Sequence, residues 1–495
     1  LLFRPRQKEI EKYGQETDRL QRKQLRSLLS TARNTEWGLK YDYKNIKRYE
    51  DFCQRVPLQL YDDIKPYMTR MINGERNILW PSVVKWYAKS SGTTNDKSKF
   101  LPVTPEVLHS CHYQGGFDTV ALYLRNNPES HFFSKKGLIL GGSHSPSPIN
   151  QKSHCGDLSA VLLQNLSPLV NLMRVPAKRI ILMDEWESKI KAIVDSTWNE
   201  DVNSLSGVPS WMLVLIKSVL KKTGREYLTD VWPNMEVFFH GGISFEPYRE
   251  QYKALIPSDK MHYMETYNAS EGFFGIQDDP SDQSLLLMQD YGVFYEFIPM
   301  SEVGAPNPTV LPLEAVETGK NYAMVITTSG GLWRYQIGDT VRFTSLFPHK
   351  FVISGRTKHY INAFGEELMV DNADKAISSV CRQTGAKVKE YTAAPLFMLD
   401  KAKGRHQWMI EFEKMPPSLD DFASLLDKAL QQLNSDYEAK RYKEISLQPL
   451  EIQVAREGTF YEWLRRKGKL GGQHKIPRLS NDRTFIEELE KIYNL

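Results

Sequence analysis

The chain has 495 residues, 41% of them hydrophobic and 25% charged, the balance of a globular protein with a sizeable core. Its 64 Lys and Arg against 60 Asp and Glu leave a formal charge of +4, far too even for a dedicated nucleic-acid binder. No apolar run reaches membrane-spanning length, the opening LLFRPRQKEI lacks a signal-peptide core and reads as truncated, and Cys53, Cys111, Cys155 and Cys381 show no CxxC or Cys/His spacing, so the expectation is a cytoplasmic protein without membrane contact, zinc site or disulfide framework.

The segment 15–33 places Leu20, Leu25, Leu28 and Leu29 at helical spacing, followed by a turn-rich stretch from Thr35 to Tyr43. From about 80 to 343, short apolar runs alternate with helical stretches, the pattern of a layered α/β domain. Four of these runs read as strands: Gly137–Leu140, Ile180–Met183, Val237–Phe239 and Tyr322–Thr327. Ser210 to Thr223 is the clearest helix. Pro209 precedes it, Gly224 ends it, and its apolar residues run nearly all round, so it is expected to be buried or to roof a cavity.

After Gly355 the pattern changes. A helix over Asn372–Cys381, strands over Ala393–Leu399 and Gln407–Glu413, a helix capped by Ser418, and a strand near 446–454 make a small α+β unit of about 130 residues. The expected division is therefore residues 1–358 and 359–495.

Five segments carry candidate chemistry. Ser90-Ser91-Gly92-Thr93-Thr94, followed by Lys97 and Lys99, gathers hydroxyl, amide and ammonium donors suited to phosphate, although the same composition describes a surface turn. Tyr267-Asn268-Ala269-Ser270-Glu271-Gly272 sets a carboxylate between a hydroxyl and a glycine, which suits Mg²⁺ shared with phosphate as well as it suits a polar loop. Trp333-Arg334-Tyr335-Gln336-Ile337-Gly338-Asp339 ends on an aspartate able to accept a ribose diol or to cap its own turn. Arg356 follows Gly355 at the change of pattern, within reach of a phosphate or ribose. Lys475 sits in the glycine-flanked basic run Gly471-Gly472-Gln473-His474-Lys475, which also reads as a solvated charge run.

In this order the five segments resemble the adenylate-forming superfamily that includes firefly luciferase and acyl-CoA synthetases. Ser-Ser-Gly-Thr-Thr, Tyr-Asn-Ala-Ser-Glu-Gly and Trp-Arg-Tyr-Gln-Ile-Gly-Asp are similar to motifs of the Gretchen Hagen family of acyl acid amido synthetases. The likeness spans about residues 15 to 480. It implies a large multi-layer N-terminal adenylate-forming domain and a small mobile α+β C-terminal lid.

It also implies ATP and Mg²⁺ as cofactors, with Ser90, Ser91, Gly92, Thr93 and Thr94 on the phosphates. Tyr267 and Ser270 would flank the adenylate, Glu271 would coordinate Mg²⁺, Asp339 would take the ribose and Arg356 would bind nearby. Gly241 and Gly242 would lie beside nucleotide and acyl group, and Lys475 would be the adenylation lysine. The plant pattern has glycine where this chain has Asn95 and Asp96. Phe117, Tyr123, Trp211, Phe273 and Phe274 are the candidate walls of the acyl pocket, although plain core packing is the commoner meaning of each such aromatic. The implied reaction adenylates a small carboxylic acid and transfers the acyl group to an amine, an amino acid, in a monomeric enzyme. An acyl-CoA ligase and a catalytically silent nucleotide-binding regulator are the alternatives.

Overall fold

The computed structural model describes residues 3–90, 99–142, 147–357, 359–364, 366, 368–397, 404–441, 447–467 and 476–493. Among them the short apolar runs of the N-terminal part join into one twelve-stranded sheet with two halves of different character. In one half Arg174–Val175, Lys136–Ile139, Val202–Gly207, Val237–Gly241 and His262–Ala269 are parallel neighbours. In the other, Gly272–Ile276, Leu285–Leu287, His349–Arg356, Tyr335–Leu346, Asn321–Thr328, Val293–Pro299 and Leu311–Pro312 run antiparallel in that order. His262–Ala269 belongs to both halves, because it pairs parallel with Val237–Gly241 and antiparallel with Gly272–Ile276. Ligand sites in such sheets form beyond the carboxyl ends of the parallel strands, and the Tyr267 to Glu271 segment stands at that end.

Two helices bear out their periodicity. Tyr13–Ala32 buries Leu25, Leu28 and Leu29 against the antiparallel half. Pro209–Thr223 begins on Pro209, ends at Gly224 in the left-handed region, and buries Met212, Leu213, Leu215, Ile216, Val219 and Leu220 in the core of the parallel half. The turn-rich stretch after residue 33 is a short helix, Glu36–Lys40, whose first turn is capped by the Thr35 hydroxyl accepting from the Gly38 amide at 3.0 Å. One expected strand is overturned: Ile180–Met183 falls instead in and just beyond the helix Lys178–Ile181. A four-residue apolar run fits either structure, and here the Ala177 carbonyl accepts from the Ile180 amide at 2.9 Å to start a helical turn.

The C-terminal part packs a three-stranded sheet, Lys387–Phe397, Gly404–Lys414 and Glu451–Ala455, against the helices Val370–Thr384 and Leu419–Leu433. This is the helix, two strands, helix, strand order expected from the sequence. The Ser418 hydroxyl caps the second helix by accepting from the Asp421 amide at 3.2 Å. No helix among the described residues is long and apolar enough to cross a membrane.

Candidate functional site

Beyond the carboxyl ends of the parallel strands lies a cleft of about 1200 Å³, ample for a nucleotide with a second small molecule. Its floor is built by close approach. The strand Val237–Gly241 ends on Gly241, where a Cβ would come within 2.3 Å of the Thr266 carbonyl oxygen, so only glycine lets the two strands lie this near.

At the mouth, Tyr267 near the end of His262–Ala269 reaches across to the antiparallel half. Its phenol donates to Asp339 Oδ2. Asp339 and Arg356 are directly opposed on the paired strands Tyr335–Leu346 and His349–Arg356, and Arg356 Nε donates to Asp339 Oδ1 at 2.8 Å. Both carboxylate oxygens are thus fixed by protein donors, and the lone pairs left over can accept two vicinal hydroxyls. Burial and the Asp339 charge push the Tyr267 phenol well above its ordinary range, so it remains a donor.

Glu271 follows Ser270 in the turn to Gly272–Ile276, and both side chains are buried. Burial first, and the Asp339 charge second, push the Glu271 carboxyl up to about 7, with Lys99 opposing. A buried carboxylate facing a second one is the environment a divalent cation relieves. Among the described residues no three His, Cys, Asp or Glu side chains converge as a metal cage. Mg²⁺ sites need only one or two protein oxygens, with phosphate and water supplying the rest.

The remaining candidates divide. Ser90, Gly241, Gly242, Tyr267, Ser270, Glu271, Asp339 and Arg356 all line this one cleft, as do Trp211 and Phe273. Ser91, Gly92, Thr93, Thr94 and Lys475 lie outside the described residues. The flanks of their segments do reach the cleft: Ser90 pairs with Lys99 across two antiparallel strands, and Ile476, Pro477 and Arg478 line its rim.

Three proposed acyl walls, Phe117, Tyr123 and Phe274, are not among the residues that line this cleft. Phe117 points outward, 38% exposed, with its ring 4.8 Å from Phe3. Tyr123 is core, wedged against Phe132 and Phe239. Phe274 is fully buried, packed against Tyr267 and Tyr295. Among the aromatic walls the sequence did not disclose is Trp186, 4.7 Å from Trp211 and facing the same cleft. Trp211 also packs against the C-terminal core, so it spans the seam between the two parts.

A mixed sheet with its cleft at the switch from parallel to antiparallel, a carboxylate clamped between tyrosine and arginine at that switch, and a small α+β unit across the opening define an adenylate-forming enzyme. Such ligases use ATP. Residues 6–261, 286–356 and 371–484 match the GH3 family N-terminal, central and C-terminal domains. The chain belongs to the GH3 family and is a ligase.

Similar proteins include Arabidopsis thaliana indole-3-acetic acid-amido synthetase GH3.3, 26% identical over 97% of this chain and 92% of that one. Another is Arabidopsis thaliana 4-substituted benzoates-glutamate ligase GH3.12, 24% identical over 94% and 96%. Among solved structures, GH3.15 acyl acid amido synthetase has the same fold, with a TM-score of 0.77 and 19% identity over 98% and 94% of the two chains. A 2-hydroxyisobutyryl-CoA ligase in the postadenylation state shares it at 0.60, with 11% identity over 97% and 93%.

Proposed function

We propose that this protein is an ATP-dependent acyl acid amido synthetase that activates an apolar carboxylic acid and transfers its acyl group to an amino acid. The observation that carries this reading is the Tyr267–Asp339–Arg356 clamp beside Glu271, set at the mouth of a cleft whose interior is walled by Trp186, Trp211 and Phe273. Asp339 accepts the ribose hydroxyls, Arg356 holds it in place, and the hydroxyl-rich segment beginning at Ser90 receives the phosphates.

Glu271 would hold Mg²⁺, which neutralises phosphate charge when bound. An oxygen of the acid forms a bond to the α-phosphorus as the bond to pyrophosphate breaks. The barrier is chiefly anion meeting anion, so positioned donors and cations lower it without covalent help from the protein. The amine nitrogen then bonds to the acyl carbon, AMP leaves, and one proton is released. Lys475 is the cation for the first step. The C-terminal unit, whose Arg478 side chain reaches Tyr248 of the N-terminal part at 3.1 Å, acts as the lid that keeps water from the mixed anhydride. The enzyme works in the cytoplasm as a monomer, without nucleic acid or membrane.

Carboxylate-dependent exchange of pyrophosphate into ATP tests this reading across aryl, indolic, fatty and steroidal acids. Exchange that requires one of these acids, followed by amide formation with an amino acid in preference to thioester formation with CoA, is expected. ATP turnover indifferent to every acid overturns the reading in favour of a nucleotide-binding regulator.

A further inference from the structure

Asn268 sets a side-chain amide into the cleft. Tyr267 and Asn268 point to opposite faces of their strand. Tyr267 meets Asp339, whereas Asn268 meets the helical segment that follows the strand Lys99–Val103. That segment begins with wide π-helical turns over Val107–Tyr113 before continuing as an α-helix over Gln114–Asn126, an irregularity frequent at functional sites. His112 in these turns is buried, and its Nδ1 lies 2.9 Å from Asn268 Oδ1. One residue earlier, Cys111 Sγ accepts from the Phe273 amide at 3.1 Å. Asn268 and Phe273 are a directly opposed cross-strand pair. The helix is therefore pinned to both members of one pair at the Tyr-x-x-Ser-Glu turn.

The protonation of this contact follows from the surroundings. Burial pushes the His112 imidazole down to about 4, so the ring is neutral and carries one proton. Its Nε2 is buried without a partner, and the acceptor beside Nδ1 is a carbonyl oxygen, which places the proton on Nδ1. With Oδ1 so engaged, the Asn268 amide nitrogen is turned away from His112. Asn268 lines the cleft, and its Nδ2 has no protein hydrogen-bond partner among the described residues. The neighbouring Thr119 hydroxyl offers no alternative donor, because it gives its proton to the Gly115 carbonyl at 2.7 Å.

We propose that Asn268, oriented by His112, donates its Nδ2 hydrogens to a carboxyl oxygen of the acid and so aims the other oxygen at the α-phosphorus. This rests on the adenylation reading above. An amide is well matched to this role, since it fixes direction by hydrogen bonding yet leaves the carboxylate its charge, whereas a lysine or arginine would weaken the nucleophile it held. His112 is a positioning residue that acts through Asn268.

Pyrophosphate exchange with an acid accepted by the unsubstituted enzyme tests the proposal in Asn268→Ala, Asn268→Asp, His112→Leu and His112→Asn. Losing the donor to a charged ligand is expected to raise KM for the acid about 10- to 100-fold in both Asn268 variants, with KM for ATP unchanged. His112→Leu is expected to shift the acid KM in the same direction. His112→Asn, whose amide nitrogen can stand where Nδ1 stood, is expected to restore it, which a purely structural histidine would not predict.

Asn268→Asp keeps shape and volume while removing both donors, so it decides the matter if His112→Leu fails to fold. An acid KM indifferent to Asn268→Asp, or acid and ATP KM rising together, overturns this inference alone. An unsubstituted enzyme silent with every acid overturns the adenylation reading and this inference with it.

Discussion

Arg356 Nε stands 2.8 Å from Asp339 Oδ1 across a directly opposed pair of strand residues, so backbone register alone sets the arginine beside the aspartate. The arginine side chain keeps 35% of its surface exposed toward the cleft, against 10% for the aspartate. Asp339 is thus the fixed member and Arg356 the member with a free edge.

Removing Arg356 should injure nucleotide binding more than folding. Arg356→Ala is expected to raise KM for ATP about 10- to 100-fold, the loss of a charge-assisted hydrogen bond, with little change in the acid KM. Arg356→Lys should recover only part, since an ammonium lacks the planar fork that holds Nε on the carboxylate. Steady-state kinetics with ATP varied at saturating acid measures both. Equal effects on the two substrates would argue that Arg356 serves the fold.

Arg334, five residues before Asp339 in the same motif, has the opposite role. It is buried with Glu296, donating to the glutamate from Nε at 3.1 Å and Nη2 at 2.9 Å. Its Nη1 donates to the carbonyls of Cys53 and Val56, tying the N-terminal helices to the sheet. Arg334→Ala leaves a buried carboxylate unpaired, and unfolding in urea should show a loss of about 3–5 kcal/mol. A loss under about 1 kcal/mol, the range of exposed pairs, would contradict the burial of this pair.

The contrast between these two arginines marks what the sequence discloses. The motif is legible as a string, and its last residue reaches the cleft as expected, but nothing in Trp333-Arg334-Tyr335 tells which side chain turns to Glu296, 38 residues away. Local periodicity identified the helices at Tyr13–Ala32 and Pro209–Thr223 because their faces repeat over several turns. It failed at Ile180–Met183, where four apolar residues cannot separate strand from helix. Among the aromatics, Phe273 reaches the cleft and Phe274 does not, a difference that composition cannot carry. The His112–Asn268 contact joins residues 156 apart and is set by the π-helical turns, which leave no signature in one sequence.

Adjacent glycines on the helix facing the cleft should respond oppositely to a methyl group. At Gly115 a Cβ would lie 2.4 Å from the Phe273 ring, while at Gly116 it meets nothing within 4 Å and projects from a cleft-lining residue. Gly115→Ala must displace Phe273 and should destabilise by about 1–3 kcal/mol, as overpacking does. Gly116→Ala should stabilise the helix by about 0.5–1 kcal/mol and, by narrowing the cleft, shift preference toward smaller acids. Thermal melts together with an acid panel separate the two. Destabilisation by Gly116→Ala would show that this face of the helix is packed rather than open.

Glu265 gives stability an unusual dependence on pH. Its carboxyl faces the cleft two residues before Tyr267 and is pushed up to about 7 by burial, with Asp371 and Asp374 reinforcing and Arg249 opposing. Below the ordinary value of 4.5 the group is protonated in folded and unfolded chains alike and has no effect. As pH rises from 4.5, the unfolded chain gives up its proton first and therefore binds fewer protons than the native state. Stability accordingly falls, until at about pH 7 the native carboxyl also ionises and the loss levels off. A displacement from 4.5 to about 7 corresponds to about 3 kcal/mol at most. Asp374 and Glu390, also pushed up by burial, act in the same sense, so the informative quantity is a difference. Unfolding free energies of the wild-type protein and Glu265→Gln should diverge steadily between pH 4.5 and 7, with the glutamine variant the more stable at about pH 7. Parallel curves across that window would mean that Glu265 ionises in the folded protein as it does in water, with the cleft wet around it.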